Sequence, residues 1–502
     1  MRSIRPVGWS MLVVAVLSGT ACSTTLGVEA VDSVDRTDVE VGDENDSSDP
    51  STDDSGGDAG EDAGEDAGKD AIVPSTESEL DERWSDYRDF LAEAIPDIEQ
   101  FWRDHYSEVY DGDYPDLVGG VHAHFPGNDA ELPSGCTFVG DYADVEDNAF
   151  YCDEGDFIVY DDALLFPDFA DEFGMSVTAL VIAHEWGHAI QGPIRNDILY
   201  SYVSTTIELQ ADCFAGAWVA DAQRDGVAGV RLSDRDVTSA LLGLIQLGDM
   251  PGNLPDDPAA HGSAFDRVSA FQDGYLGGLQ PCVDYERSEP LPLQFGFTVE
   301  ELQRPNPSDF PFDQEMFDLL TGDLALYWSV IAPQFGADWA APTVDLVGEN
   351  ETPPSCADRR KPAPGVWLCP RGPRLVIDVD LARRVYDEVP GDFAVAYLLA
   401  IGYAESVQLD LGLDLDDESS ALFNDCLAGM WTGDILPFND SPAVESTEEN
   451  PRVGLSPGDL DEAIRLAILI GDESSDTDVV GSPFEKVDSF RQGVFFGASG
   501  CT

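Results

Sequence analysis

At 502 residues, 43% of them apolar, the chain can bury a sizeable core and is long enough for about two or three domains. Its formal net charge of −74, from 99 acidic and 25 basic side chains, excludes a general affinity for nucleic acid, because one polyanion repels another. The three lysines, Lys69, Lys361 and Lys486, leave an Asp-rich surface; it suits high salt or extracellular exposure as readily as it reflects compositional bias.

Residues 1–22 read as an export signal. Arg2 and Arg5 precede an apolar run, Val7 to Leu17, that is too short to span a bilayer comfortably. Gly19-Thr20-Ala21-Cys22 resembles a lipobox, which makes Cys22 the expected lipidation site. Gly19 stands where a leucine is usual, so free secretion is the alternative. Residues 23–75 form an acidic Gly/Ser/Asp segment with the repeating run Gly57-Asp58-Ala59-Gly60-Glu61-Asp62-Ala63-Gly64-Glu65-Asp66-Ala67-Gly68, too poor in large apolar residues to offset chain entropy. A disordered, charge-extended linker is expected there.

After it, Trp84 to Trp102 has helical apolar spacing, and Asp156 to Tyr160 reads as a strand. Ser176 to Gln191 reads as a buried helix ended by Gly192-Pro193. Helices are expected at Thr206 to Asp221 and Asp234 to Leu247. The fold class is therefore α+β, mainly helical with a small sheet. A polar, Pro-containing linker is expected at 286–311.

The chain then repeats itself. The run Val181 to Gln191 aligns without gaps to Leu398 to Gln408, and Asp212 to Trp218 aligns to Asp425 to Trp431. Phe265, Val268, Phe271, Gly274, Gly278 and Cys282 match Phe484, Val487, Phe490, Gly493, Gly497 and Cys501. One domain at 80–285 and a second copy at 312–502 follow. The cysteines obey the repeat. Sequence alone leaves their connectivity open, but equal pairing in both copies is the simplest solution: Cys136–Cys152 and Cys213–Cys282, then Cys356–Cys369 and Cys426–Cys501.

His184-Glu185-Trp186-Gly187-His188 is an HExxH motif on the expected 176–191 helix. Residues four apart share a helical face, so His184 and His188 can reach one Zn2+ ion, with Glu185 beside it as a general base. Catalytic zinc takes three protein ligands and keeps an open position. Glu208 is the candidate third ligand, and Asp212 can fix the tautomer of a ligand imidazole. The competing reading of Glu208 is a capping box closed with Thr205.

These residues, with Glu208-Leu209-Gln210-Ala211-Asp212-Cys213-Phe214-Ala215-Gly216-Ala217-Trp218 and then His261-Gly262-Ser263, Arg267-Val268 and Phe271, resemble the neutral zinc metallopeptidases of bacteria. The resemblance implies a zincin-like domain, here in tandem, with the metal between two helices. It implies peptide-bond hydrolysis by a water that zinc activates. The expected function is a zinc endopeptidase at the cell surface, acting on a peptide or protein and touching the membrane only through a lipid on Cys22. Its alternatives are a surface-binding protein working through the second copy, and an amidase acting on cell-wall peptides. An edge-on pairing of substrate with the Asp156–Tyr160 strand is a further expectation.

In the second copy Ile401, Gly402, Glu405 and Ala421 replace His184, Glu185, His188 and Glu208, so no catalytic metal is expected in 312–502. The second copy should fold and pack on the first or bind a partner. His261 becomes Val480 while its neighbours Gly262-Ser263 persist as Gly481-Ser482. A polar group lost together with the zinc ligands is a candidate donor to a developing oxyanion; the alternative is an exposed loop histidine.

Overall fold

The helical periodicity that dominates the sequence dominates the computed structural model. It describes residues 77–501 except 129–134, 137–138, 195–202, 225–229, 289, 291, 349–350, 357–358, 371, 390, 414–416, 448–449 and 472–480. The expected export signal, Cys22 and all of the acidic linker lie outside the described residues, as does Val480. Residues 71–502 form one unit. No helix among the described residues is long and apolar enough to cross a membrane.

The first half opens with α1 (Glu77–Val109), longer than its apolar spacing predicts, and buries Tyr87, Leu91, Ile98 and Trp102. A small sheet follows, from β1 (Gly120–His124), β2 (Ala149–Cys152) and β3 (Phe157–Asp161) in the order β1-β3-β2. β3 runs parallel to β1 and antiparallel to β2. All five of its residues are buried, as expected for a strand covered on both faces. This corrects the expected substrate pairing: β3 is bonded on both sides, so it has no free edge to offer. β2 is an edge strand.

Six helices complete the half: α2 (Leu165–Glu172), α3 (Met175–Ile194), α4 (Ser204–Arg224), α5 (Asp234–Gln246), α6 (Ala264–Gly277) and α7 (Leu279–Asp284). α3 is apolar on nearly every face and is accordingly buried. It runs past Gly192-Pro193, where it was expected to stop; tertiary packing outweighs the bond that a proline removes from the last turn. α4 and α6 touch backbone to backbone. A Cβ added at Gly216 would lie 2.0 Å from the Phe271 carbonyl oxygen, and one at Gly274 would lie 1.8 Å from that of Cys213.

The second half follows the same order. α8 (Gln314–Ile331) precedes β4 (Thr343–Val347), β5 (Arg360–Ala363), β6 (Val366–Cys369) and β7 (Arg374–Asp378). Their sheet, β4-β7-β6-β5, has the pairing senses of the first with one strand added. Then come α9 (Val379–Glu388), α10 (Asp392–Leu411), α11 (Asp417–Asp434), α12 (Asp459–Leu469) and α13 (Pro483–Phe496). A Cβ at Gly429 would lie 2.0 Å from the Phe490 carbonyl oxygen, matching Gly216. Trp218 donates to Asp97 at 3.0 Å, and Trp431 to Asp323 at 2.8 Å. The disulfides are Cys136–Cys152, Cys213–Cys282, Cys356–Cys369 and Cys426–Cys501, with Cα–Cα distances of 6.0, 5.5, 5.6 and 5.5 Å.

One apolar cluster runs through both halves. Polar contacts cross between them as well: Gln272 Nε2 donates to the Phe484 carbonyl at 3.0 Å, and Arg491 pairs with Asp273 at 2.6 Å. The segment 286–311 does more than link. Leu293 is buried, and the amides of Leu293 and Gln294 donate to Asp266 on α6 at 2.8 and 3.0 Å. Further on, Glu301 accepts from Ser456 Oγ at 3.0 Å, which straps the segment to the second half.

Candidate active site

α3 and α4 lie side by side because Gly187 has no side chain to separate them: a Cβ there would sit 2.9 Å from Ala211 Cα. That approach brings Glu208, on the second turn of α4, under the two histidines of α3. His184 Nε2 and His188 Nε2 are 3.1 Å apart. Glu208 Oε2 lies 3.2 Å from the first and 3.4 Å from the second. The atom is buried and takes part in no hydrogen bond. Two imidazole nitrogens and one carboxylate oxygen are a usual zinc donor set, and ligands about 2.0–2.1 Å from a tetrahedral ion stand about 3.3 Å from one another. The three distances fit that edge length, so the residues present suit the metal that the sequence implied.

The opposite faces of both rings are held. Asp212 Oδ1 accepts from His184 Nδ1 at 2.8 Å, and Gln191 Oε1 accepts from His188 Nδ1 at 2.8 Å. Both partners place a proton on Nδ1 and turn the Nε2 lone pair inward. Asp212, fully buried, also receives Arg267 Nε at 2.8 Å and Nη2 at 2.9 Å. Gln191 Nε2 donates to the Ile207 carbonyl at 2.8 Å and to Gln210 Oε1 at 3.0 Å, tying α3 to α4. Neither Gln191 nor Arg267 was assigned a role from sequence. Gln191 closes the repeated run, and its counterpart Gln408 binds the Ser420 carbonyl at 3.0 Å in the same way. That persistence was the available signal.

The electrostatics follow from burial and crowding. Burial works against a charged His184, but Asp212, Glu208 and Glu185 outweigh it and raise the imidazole to about 10. Burial also opposes an ionised Glu208, yet His188 and His184 hold that carboxyl well below its usual range. Burial pushes Glu185 up, against the pull of His188 and His184. Glu185 is 7% exposed and accepts from the Tyr151 amide of β2 at 2.8 Å through Oε2. A carboxyl raised by burial beside the donor set is suited to taking and returning a proton.

His261 lies elsewhere on the wall. It is 55% exposed, with Nδ1 3.8 Å from Asp249 Oδ1. Its loop packs on α4: a Cβ at Gly262 would lie 3.3 Å from Leu209 and Thr205 side-chain atoms. Among the described residues no hydrogen bond or ion pair joins His261 to His184, His188 or Glu208.

The corresponding places in the second half are filled. Ile401 is buried. At Gly402, in Glu185's place, a Cβ would lie 2.8 Å from Leu375 and 3.0 Å from Val366, so the sheet closes over the helix. Glu405 pairs with Arg360 and accepts from Asn424 Nδ2 at 2.8 Å. Asp425, Asp212's counterpart, accepts from the Tyr397 hydroxyl at 2.6 Å and Lys486 Nζ at 2.7 Å.

Residues 62–284 match the profile of a family described as "Putative neutral zinc metallopeptidase". The uncharacterized protein YpfJ of Escherichia coli is 31% identical over 150 residues, which cover 26% of this chain and 50% of that protein. The uncharacterized protein Rv2575 of Mycobacterium tuberculosis is 31% identical over 189 residues, covering 33% of this chain and 62% of that one. The chain thus spans half to three-fifths of the length of these relatives. No solved structure matches. Residues 62–284, which hold the histidine pair, Glu208 and the aspartate behind them, are thus the part of the chain that is similar to this neutral zinc metallopeptidase family.

Proposed function

We propose that the chain is a zinc-dependent endopeptidase whose metal is held by His184, His188 and Glu208. The observation that carries the reading is the convergence of three donor atoms at 3.1, 3.2 and 3.4 Å from one another, beside the carboxyl of Glu185. Zinc, when bound, makes a ligated water acidic near neutral pH and polarises a carbonyl. Glu185 takes the proton from the attacking water and returns it to the leaving amine. Asp212 and Gln191 keep both rings in the tautomer that presents Nε2. The edge strand β2, whose Tyr151 amide already reaches Glu185, is the strand placed to lie alongside an extended peptide. His261 is retained as a candidate oxyanion donor.

The two halves are read as a tandem duplication in which the second copy has lost catalysis and become a brace. Shared element order, shared glycine contacts and equivalent disulfides support that reading. Export, with a lipid on Cys22 and residues 23–75 as spacer, agrees with four disulfides, which persist in oxidising compartments.

The test pairs metal analysis with a peptide-library digest that includes cell-wall peptides. One zinc per chain and cleavage of ordinary peptide bonds are expected. Glu185→Gln should keep the zinc and lower turnover by about a hundredfold or more, since only the base is removed. Full activity in that variant refutes the mechanism; cleavage confined to wall peptides assigns the amidase.

A further inference from the structure

Far from the histidines, carboxylate oxygens converge a second time. Asp309 of the strap, Asp392 on the first turn of α10 and Glu462 of α12 bring one oxygen each to within 4.8 Å of one another. Asp392 is 5% and Glu462 8% exposed. Ile401 lies nine positions beyond Asp392 on α10, about 14 Å along the axis, so this is no remnant of a zincin site. Backbone amides offset part of the charge. Phe393 and Ala394 donate to Glu462 Oε2 at 2.7 and 3.3 Å, and Phe310 donates to Asp392 Oδ2 at 3.2 Å. Among the described residues no lysine or arginine forms an ion pair with any of the three. Arg304 of the strap lies over the Phe310 ring, 4.9 Å from its centroid, and its charge and that of Arg465 on α12 act on Asp392 and Glu462 respectively, yet burial still holds both carboxyls above their usual range.

Asp459 adds an independent observation. It is 4% exposed, and its Oδ1 is buried with no hydrogen-bond donor. Oδ2 accepts the Ser456 amide at 2.8 Å. It stands three residues before Glu462, on the same face of α12, and the charges that bear on it are those of Asp392, Asp309 and Glu301. A buried carboxylate with one oxygen lacking a donor thus shares the helix face of Glu462 and lies within the field of Asp392 and Asp309. Crowded buried carboxylates are tolerated only when a cation or protons neutralise them.

We propose that Asp309, Asp392 and Glu462, with Asp459 beside them, hold one hard divalent cation of the calcium class, which ties the strap 286–311 to α10 and α12. The donors are all oxygen, with no imidazole or thiolate, which selects a hard ion over zinc. Calcium–oxygen bonds of about 2.3–2.6 Å allow two ligand atoms to stand up to about 5 Å apart, which accommodates the observed spread. The three ligands come from three separate segments, so the ion cross-links the strap to the second half.

The probe is Tb3+ added to the zinc-loaded full chain, in enough salt to screen the diffuse attraction of an acidic surface. Excitation through Tyr386, whose hydroxyl feels the charges of Asp309, Asp392 and Glu462, reports occupancy. The expected result is emission that saturates at one ion per chain and is displaced by Ca2+. Ca2+ should also slow proteolysis within the strap. Asp392→Asn should weaken Tb3+ binding by about tenfold or more. Asp309→Asn, on the half-buried strap, should do the same and guards against a folding defect at Asp392. Absence of a saturable site, or unchanged affinity in both variants, overturns the proposal and leaves shared protons as the neutralising device.

Discussion

In the proposed zinc site Asp212 is the residue where folding and metal binding meet, and Asp212→Asn tests both. The carboxylate is fully buried and receives three charge-assisted bonds, one from His184 and two from Arg267, at 2.8, 2.8 and 2.9 Å. Burial works against its ionised form, and Arg267 and His184 together overcome that and hold it below the usual range. Asparagine keeps the shape but removes the charge and turns an amide toward one of its donors. Leaving Arg267 buried and unpaired should cost about 3–5 kcal/mol in denaturant unfolding. Loss of the carboxylate behind His184 should weaken zinc about 10–100-fold, or about 1.4–2.7 kcal/mol, in competition with a chromophoric chelator. Asp425→Asn is the internal control. There burial outweighs Lys486 and the Tyr397 hydroxyl and pushes the carboxyl up, so neutralising it should cost less, and zinc affinity should not change. Equal zinc affinity in wild type and Asp212→Asn, or an equal loss in both variants, refutes the assignment of Asp212 to the metal site.

Two further predictions concern the α6 side. His261→Ala should leave zinc content and melting unchanged and lower turnover by about a hundredfold or more; unchanged turnover returns His261 to an exposed loop histidine held near Asp249. At Asp266, burial pushes the carboxyl up to about 6, against the amides of Leu293 and Gln294 and the Ser263 hydroxyl. The folded chain then binds the extra proton between about pH 4 and 6, so this stabilisation is full below about 4 and is lost as pH rises through about 6. The upper limit is about 3 kcal/mol, read as the difference in pH slope between wild type and Asp266→Asn by urea unfolding, and parallel slopes refute it.

What could be read from the sequence was whatever local spacing determines. A spacing of four between histidines on one helix brings two rings to one point whatever the rest of the chain does, and Glu208 came within reach because a glycine, Gly187, faces the next helix. The cysteine pairing was legible because the repeated runs of sequence constrain each other. What spacing does not determine was missed or misread. Whether β3 is an edge or a centre depends on β1, which joins it from 37 residues earlier in parallel register, Gly120 opposite Phe157. Segment 286–311 looked like a linker because it is polar and Pro-containing, yet a few apolar residues and two amides on Asp266 dock it.

Arg267 shows most clearly what composition hides. It sits on α6, 55 residues beyond Asp212, and the sign of the pair in the sequence was that the repeat puts Lys486 in its place as it puts Asp425 in that of Asp212. α6 is in turn fixed from the other half. The Phe265 amide, on its first turn, donates to Asp461 of α12 at 2.7 Å, and Asp273 pairs with Arg491 of α13 at 2.6 Å. The contacts therefore run from α12 and α13 to α6, from Arg267 to Asp212, and from Asp212 to the Nδ1 of His184. A second half whose equivalent positions are closed by Leu375 and Val366 still touches the first through this series of contacts. Such a role requires its core, its disulfides and its interface to persist, and requires nothing of the four positions where Ile401, Gly402, Glu405 and Ala421 now stand.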